Sequence, residues 1–279
     1  FRKRSGGGEM NFVINGLGVS NDENVTGIQR VFREVALRLD GLLGGEPDLH
    51  AEYLAKKGAK NLIVSPSDLH NIKFCELNGQ KNKLNAWFRF PRYVKKRKAI
   101  AVAIAHDPAL VKNSIVCVHD VRPLASKEYD SKRLRFEYKL FIRGVKKYAA
   151  EIVTVSEYQK NEITARAGIP PEKIHVIYHG WEHISAIESD EKIFEKQPRL
   201  KKNEYYYALG SLAPHKNLAW LREQAKRNPN RIFAIAGQIN AENWCGTYEE
   251  NRKSLPENVV LLGYISDGEN KALMQNCRA

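Results

Sequence analysis

Two basic side chains stand just past the ends of apolar runs, where they can meet a ligand. Lys216 closes the turn in YYYALGSLAPHKNL, residues 205–218, and His119 follows SIVCV at 114–118. A strand that feeds a tight turn into a helix start aims unpaired backbone N–H groups at one point. An ammonium beside them adds a full positive charge, which suits a nucleotide diphosphate. A histidine past the carboxyl end of a strand lies where doubly wound sheets bind ligands. It can hydrogen-bond a hydroxyl or a phosphate, and Asp120 can fix its tautomer. The plain alternatives are a solvated lysine on an ordinary strand–loop–helix unit and a histidine that ties down a loop.

The elements that must position these groups are legible in outline. Tyr205 to Leu209 form an unbroken aromatic and aliphatic run, as a buried parallel strand does. Gly210 ends it, Ser211 to Lys216 form a turn with Pro214, and Asn217 caps a helix whose apolar face is Leu218, Leu221 and Ala225. At the other end of the chain, 11–15 reads as a strand and Gly16 to Thr26 as a glycine-, asparagine- and aspartate-rich loop. A helix follows, with Ile28, Val31, Phe32, Val35, Leu39 and Leu42 at helical spacing. The loop is no true G-x-G-x-x-G, so as a dinucleotide fingerprint it is weak. Further strands are expected at 61–65 and 72–77, with Pro66-Ser67-Asp68 as the turn between them. Residues 79–98 are polar, then aromatic, then basic, and carry no clear period.

From 114 onward the alternation is regular. A helix over 131–149 has Leu134, Tyr138, Phe141, Ile142, Val145 and Ala149 on one face. Strands follow at 151–155 and 174–178. Between them Ser156 and Gln159 make a capping box, which reads Ser156 as a cap and not a nucleophile. Gly168 and Pro170-Pro171 stop that helix. Residues 185–204 turn polar and charged and mark a domain boundary. Strands at 231–237 and 258–264 come next, then a Ser266–Glu269 capping box and a helix through Leu273, Met274 and Cys277. The order is β-α alternation twice over. It predicts an α/β protein of two Rossmann-like domains facing each other across a cleft.

Composition narrows the class. With 28% charged and 43% hydrophobic residues the chain is that of a soluble globular protein, and no apolar run is long enough to span a bilayer. Cys75, Cys117, Cys245 and Cys277 form no C-x-x-C, and Cys75 and Cys117, in apolar strand-like runs, read as small core residues of a reducing compartment. The histidines show no H-E-x-x-H, so no metal site is expected. The net charge of +13 calls for an anionic partner. The basic residues concentrate at 89–98 (RFPRYVKKRK) and at Lys132, Arg133, Arg135, Lys139, Arg143, Lys146 and Lys147. They can simply be solvated, or they can face nucleic acid, a phosphorylated substrate or an anionic membrane.

Taken in order, VCVHDVRPL, IVTVSEYQKNEI, PPEKIHVIYHGWEH, YYYALGSLAPHKNL, RIFAIAG and NVVLLGYISDGENKALMQNC resemble the retaining glycosyltransferases of family 4, which have the GT-B fold. The likeness is to the bacterial branch that builds surface polysaccharides. It spans roughly residues 11–279 and is concentrated after 114. Residues 1–9, basic and glycine-rich, read as a leader (disordered or appended) and 186–203 as a linker, and the resemblance implies an N-terminal acceptor domain at 10–185 and a partial nucleotide-sugar domain at 204–279. It implies transfer of a sugar, with retention, from a nucleotide-diphosphate sugar to a glycan or lipid-linked acceptor, with no cofactor required. The leaving phosphate then accepts the acceptor's proton, and the protein's task is to stabilise that phosphate.

Residue by residue, the resemblance implies that Lys216 holds the diphosphate and His119 lies near the donor sugar. Gly210 and Gly237 let backbone approach the nucleotide, Tyr264 and Ile265 hold the base, and Gly16 and Gly18 form a loop near phosphates and acceptor. Ser211 and His215 stand where many members have arginine, which throws more weight on Lys216 and the helix start. The family's E-x7-E segment is expected after the helix ending near Arg278, so the second domain reads as about half present. The protein is expected in the cytoplasm, or peripherally at the inner face of the membrane. Two other readings compete: a binding protein of the same fold without catalysis, and a basic nucleic-acid binder. Net charge alone suggests the second and no nucleic-acid motif supports it, so nucleic acid is not expected as a partner.

Overall fold

The structure is a computed structural model and describes residues 9–19, 27–58, 62–78, 83–105, 109–125, 130–210, 216–237 and 255–279. The chain divides into two compact units, Phe1–His179 and Gly180–Ala279.

The first unit carries seven parallel strands: β1 (Met10–Asn15), β2 (Leu49–Lys56), β3 (Ile72–Leu77), β4 (Ile100–Ala103), β5 (Ser114–Cys117), β6 (Ala149–Thr154) and β7 (Ile174–Val176). Their order in the sheet is β3-β2-β1-β4-β5-β6-β7, so the chain reverses direction of travel between β1 and β4. Parallel strands need helical crossovers and end up covered by helices, which is why their central residues are apolar on both faces. Helix α1 (Gly27–Leu43) lies on one side of the sheet, with Phe32 and Ala36 in a cluster with Ile14, Tyr53 and Ile72. Helices α2 (Lys83–Lys96), α4 (Lys132–Tyr148) and α5 (Glu157–Ala167) lie on the other, around Val13, Leu54, Ala101, Val116 and Ile152. A short α3 (Arg122–Ala125) follows β5. Beside α1 an apolar groove of about 460 Å³ runs over the sheet, lined by Val35, Leu39, Val102, Ile115, Val153 and His179 among others.

Asp40 ties α1 to the start of β3. Its carboxylate is only 4% exposed and accepts from the backbone N–H groups of His70, Asn71 and Ile72 at 3.0, 2.8 and 2.7 Å. Burial alone would raise its pKa, but the three donors outweigh burial and hold the carboxyl below its ordinary range.

The second unit holds β8 (Tyr205–Leu209), β9 (Ile232–Ala236) and β10 (Val259–Gly263), parallel in the order β10-β9-β8. Helices α6 (Lys192–Lys196), α7 (Leu218–Arg227) and α8 (Asp267–Asn276) accompany them. Tyr205 is fully buried and donates to the Leu273 carbonyl at 2.7 Å, which pins α8 to β8.

Several expectations change. Residues 62–65 form no strand, and position 61 lies outside the described residues: Ile63 and Val64 are buried in a loop that enters a 3-10 turn at Pro66–Asp68. The Asp68 carboxylate captures the Ser65 N–H at 2.8 Å, and Pro66 has no N–H to give to a ladder. The neighbour of β1 is instead β2, which pairs Phe12 with Ala51 and Asn15 with Leu54. Residues 83–96, which show no period in the sequence, form α2 with Pro91 inside it, and β4 is a four-residue strand. The strand expected over 174–178 stops at Val176, leaving Ile177 and Tyr178 exposed. Residues 186–203 pack into the second unit, where Ile193 and Leu200 are buried in its core. Ser156 caps α5 through the Gln159 N–H at 3.2 Å, but the Gln159 side chain does not return the bond. Ser266 and Glu269 make the full reciprocal box.

Candidate functional site

The carboxyl edge of the three-stranded sheet ends in glycine on every strand. Gly210 follows β8, Gly237 follows β9 and Gly263 closes β10. They are knitted together by backbone: Gly210 N–H donates to the Ala236 carbonyl at 2.9 Å and Gly237 N–H to the Gly263 carbonyl at 2.8 Å. The close approach is severe between the first two. A Cβ on Gly237 would lie 2.0 Å from the Gly210 carbonyl oxygen, and Gly237 has φ of +141°. Only glycine fits there. The result is a strip of bare backbone at the end of the sheet where doubly wound folds take ligands. The sequence pointed to Gly210 and Gly237. It could also have given Gly263, the residue before Tyr264, from the same strand-then-glycine pattern.

Lys216 is exposed directly before α7. Asn217 holds the N-cap position with φ of +55°, in the left-handed region, and makes no side-chain cap bond. The expected cap is therefore absent, which leaves the first N–H groups of α7 without a side-chain oxygen from Asn217. Tyr264 is 54% exposed just beyond Gly263, while Ile265 packs against the core of the unit. Ser211 and His215 lie outside the described residues.

In the first unit His119 is 9% exposed beyond β5. Its Nε2 lies 2.8 Å from the Ile104 carbonyl, an oxygen that can only accept, so Nε2 carries the proton. Nδ1 faces the Cys117 Sγ at 3.8 Å. Burial lowers the His119 pKa, partly offset by the Ile104 bond, so the ring is neutral at pH 7. The His179 ring centre is 5.9 Å away. Burial also pushes the Cys117 thiol up to about 12, so it stays protonated.

Asp120 does not set the tautomer of His119, because Ile104 does. The Asp120 carboxylate instead accepts the Arg122 N–H at 3.0 Å, and its carbonyl accepts the Tyr138 hydroxyl. Arg122 pairs with Asp130 at 2.6 Å, and Thr154 donates to the Val118 carbonyl at 2.8 Å. The loop after β5 is thus wired into its own unit.

Gly16 ends β1, and its N–H donates to the Leu54 carbonyl at 3.0 Å. A Cβ there would meet the Tyr53 ring at 2.6 Å, so packing against β2 already requires glycine. Gly18 is exposed in the following turn. Residues 20–26 of that loop lie outside the described residues. Among the described residues no group of His, Cys, Asp and Glu is placed to hold a metal, and no helix is long and apolar enough to cross a membrane.

The glycosyltransferase family 4 model matches residues 25–183. The O-antigen chain mannosyltransferase RfbU of Salmonella typhimurium is 25% identical over 177 residues, 61% of this chain and 45% of that protein. The chain thus spans about half the length of this relative. Among solved structures, Anabaena Alr3699/HepE in complex with UDP and glucose has a TM-score of 0.66 at 16% identity, over 96% of this chain and 72% of that one. Sucrose-phosphate synthase from Thermosynechococcus elongatus has a TM-score of 0.58 at 13% identity, over 96% and 74%. These likenesses show the α/β fold of the GT-B glycosyltransferases. With more than half of its length matched by the family, the chain belongs to glycosyltransferase family 4.

Proposed function

We propose that the protein moves a sugar, with retention, from a nucleotide-diphosphate sugar to a glycan or lipid-linked acceptor in surface-polysaccharide synthesis. The observation that carries this reading is the glycine strip at the ends of β8, β9 and β10 with Lys216 at the start of α7. Bare backbone lets a nucleotide approach closely, and an ammonium at a helix start stabilises the charge that develops on a leaving diphosphate. Similarity to a mannosyltransferase and to a structure solved with UDP and glucose supports the same chemistry.

In this reading the bond between the sugar's anomeric carbon and the diphosphate breaks. The acceptor oxygen forms the new glycosidic bond, and its proton passes to the leaving phosphate. Gly210, Ser211, His215 and Gly237 line the diphosphate with Lys216, and Tyr264 and Ile265 hold the base. Gly16 and Gly18 form the acceptor loop, and His119 shapes the site of the donor sugar. The donor needs no metal or organic cofactor. The enzyme works in the cytoplasm, and its basic helices lean on an anionic membrane that carries the acceptor.

The test is transfer from a panel of nucleotide sugars to a lipid-linked saccharide by the wild type and by Lys216→Ala. Loss of product in the variant is expected, and equal rates would count against the assignment. A second reading, a nucleotide-binding protein of this fold without catalysis, is favoured by the wiring of His119 into its own unit. Tight diphosphate binding with no product from any donor would select it.

A further inference from the structure

Most basic residues on helices face water amid acids of the same element. The outward ridges of α2 and α4 differ. On α4 the buried residues Tyr138, Phe141, Ile142 and Val145 define the inner face. The opposite line is Lys132, Phe136, Lys139, Arg143 and Lys147, at helical spacing, and all five are exposed. Phe136 is 61% exposed in the middle of four cations. The one acid of the helix, Glu137, lies off this line and bonds Arg133.

The same pattern recurs on α2. Phe90 and Val94 are fully buried, while Phe88 is 63% exposed on the outer side with Arg92, Lys95 and Lys96. Among the described residues no carboxylate pairs with Arg92, Lys95, Lys96, Lys139 or Arg143. Both helices pack on the same side of the seven-stranded sheet, over one hydrophobic cluster. Two exposed phenylalanines, each framed by cations that pair with no carboxylate among the described residues, therefore present on one side of one unit.

We infer that this side of the first unit docks on an anionic bilayer, with Phe88 and Phe136 entering the headgroup–acyl boundary and the cations meeting lipid phosphates. The inference rests on the membrane reading given above and names the surface that carries it. Charge complementarity sets the sign of the partner. The two aromatic residues select a bilayer over nucleic acid. They stand on the exposed faces of two helices, which can enter a fluid layer, whereas readers of single strands stack bases along a groove. The cations act within a Debye length of the surface, so attraction must weaken with salt.

The experiment is vesicle flotation with the whole chain, at ~0.1 and ~0.5 M salt. Vesicles are pure phosphatidylcholine or the same lipid with about one third phosphatidylglycerol, against an anionic-lipid effect of the size expected for several surface cations. Binding to the anionic vesicles alone, lowered by salt, is expected. Phe88→Ser with Phe136→Ser should weaken partitioning about tenfold or more while keeping the salt dependence, since apolar insertion is lost and charge is not. Lys139→Glu with Arg143→Glu should weaken it about tenfold and flatten the salt dependence.

Equal binding to neutral vesicles, no binding to anionic ones, or no loss in either double variant would overturn the inference. So would single-stranded RNA that displaces the protein from the vesicles at low salt. Thermal shift with uridine diphosphate, run on the same variants, keeps the two proposals apart: all four substitutions are on exposed sites and should leave it unchanged.

Discussion

The loop after β5 and the strand ends of the three-stranded sheet occupy equivalent places in two units of related build, yet they are finished in opposite ways. In the first unit His119 is buried, its Nε2 proton is given to Ile104, and the neighbouring loop is held by Tyr138, Arg122 and Thr154. In the second, the strand ends are glycine backbone without side chains, and Lys216, at the start of α7, is exposed. A site that is already hydrogen-bonded to itself can shape a ligand's surroundings. A site of bare backbone and an exposed ammonium gains its partner only when an anion arrives. Under the proposed function, the difference fits a positioning role for the first unit and charge stabilisation for the second.

The largest effect on activity that would sharpen this contrast is at Lys216. Lys216→Ala should lower transfer by about 10²–10³ with an unchanged melting temperature, the usual cost of losing one charge-stabilising donor. Initial rates at saturating donor, beside a thermal melt, test both halves. Loss of stability in step with loss of rate would mean that Lys216 belongs to the scaffold.

Next comes Asp40. Asp40→Ala leaves three backbone donors without their acceptor and should cost about 3–5 kcal/mol, read by urea denaturation of the first unit. The pH dependence follows from the same bonds. The folded carboxyl has its pKa below the unfolded value, so its stabilisation is complete above the unfolded pKa and lost as pH falls through the folded one. Wild-type stability should drop in the acid range below about pH 4, and the variant should lose that step.

Gly237→Ala should destabilise the second unit by about 2–3 kcal/mol and abolish nucleotide binding, because the new Cβ meets the Gly210 carbonyl. Gly263→Ala has open space around it and should cost only about 1–2 kcal/mol for its left-handed backbone. Equal losses would show that the strip is shaped by backbone dihedral alone and not by contact.

His119→Ala should be as mild as Gly263→Ala, about 1–2 kcal/mol for an unpaired Ile104 carbonyl. His119 has a folded pKa below its unfolded value, so it stabilises the neutral form. That contribution is present above the unfolded pKa and is lost as pH falls through the folded one. A stability profile between about pH 7 and 5 should therefore flatten in the variant. A profile identical to wild type would remove the ring from the account.

Much of this was readable from residues 114–279, where β8, β9 and β10 are short apolar runs closed by glycine and α4, α5 and α8 open with serine. Gly210, Gly237 and the Ser266–Glu269 box are local signals, and local signals survive in sequence. What failed to show was set by distant partners. β2 carries His50 and Glu52 among its apolar residues, and only pairing with β1 and β3 makes it a strand. α2 carries Pro91 and a dense run of cations, and its apolar face counts only once Phe90 and Val94 meet the sheet. The tautomer of His119 depends on Ile104, fifteen residues earlier, so the adjacent Asp120 was a misleading neighbour. Ile193 and Leu200, in a stretch that reads as a linker, are core residues because the second sheet offers them a surface.

The central claim is that Lys216 and the glycine strip hold a diphosphate. Calorimetric titration of wild type and Lys216→Ala with uridine and with uridine diphosphate tests it most directly. Wild type should prefer the diphosphate by tenfold or more, roughly 1.4 kcal/mol, and the variant should bind both about equally. An undiminished preference for the diphosphate in the variant would contradict the claim.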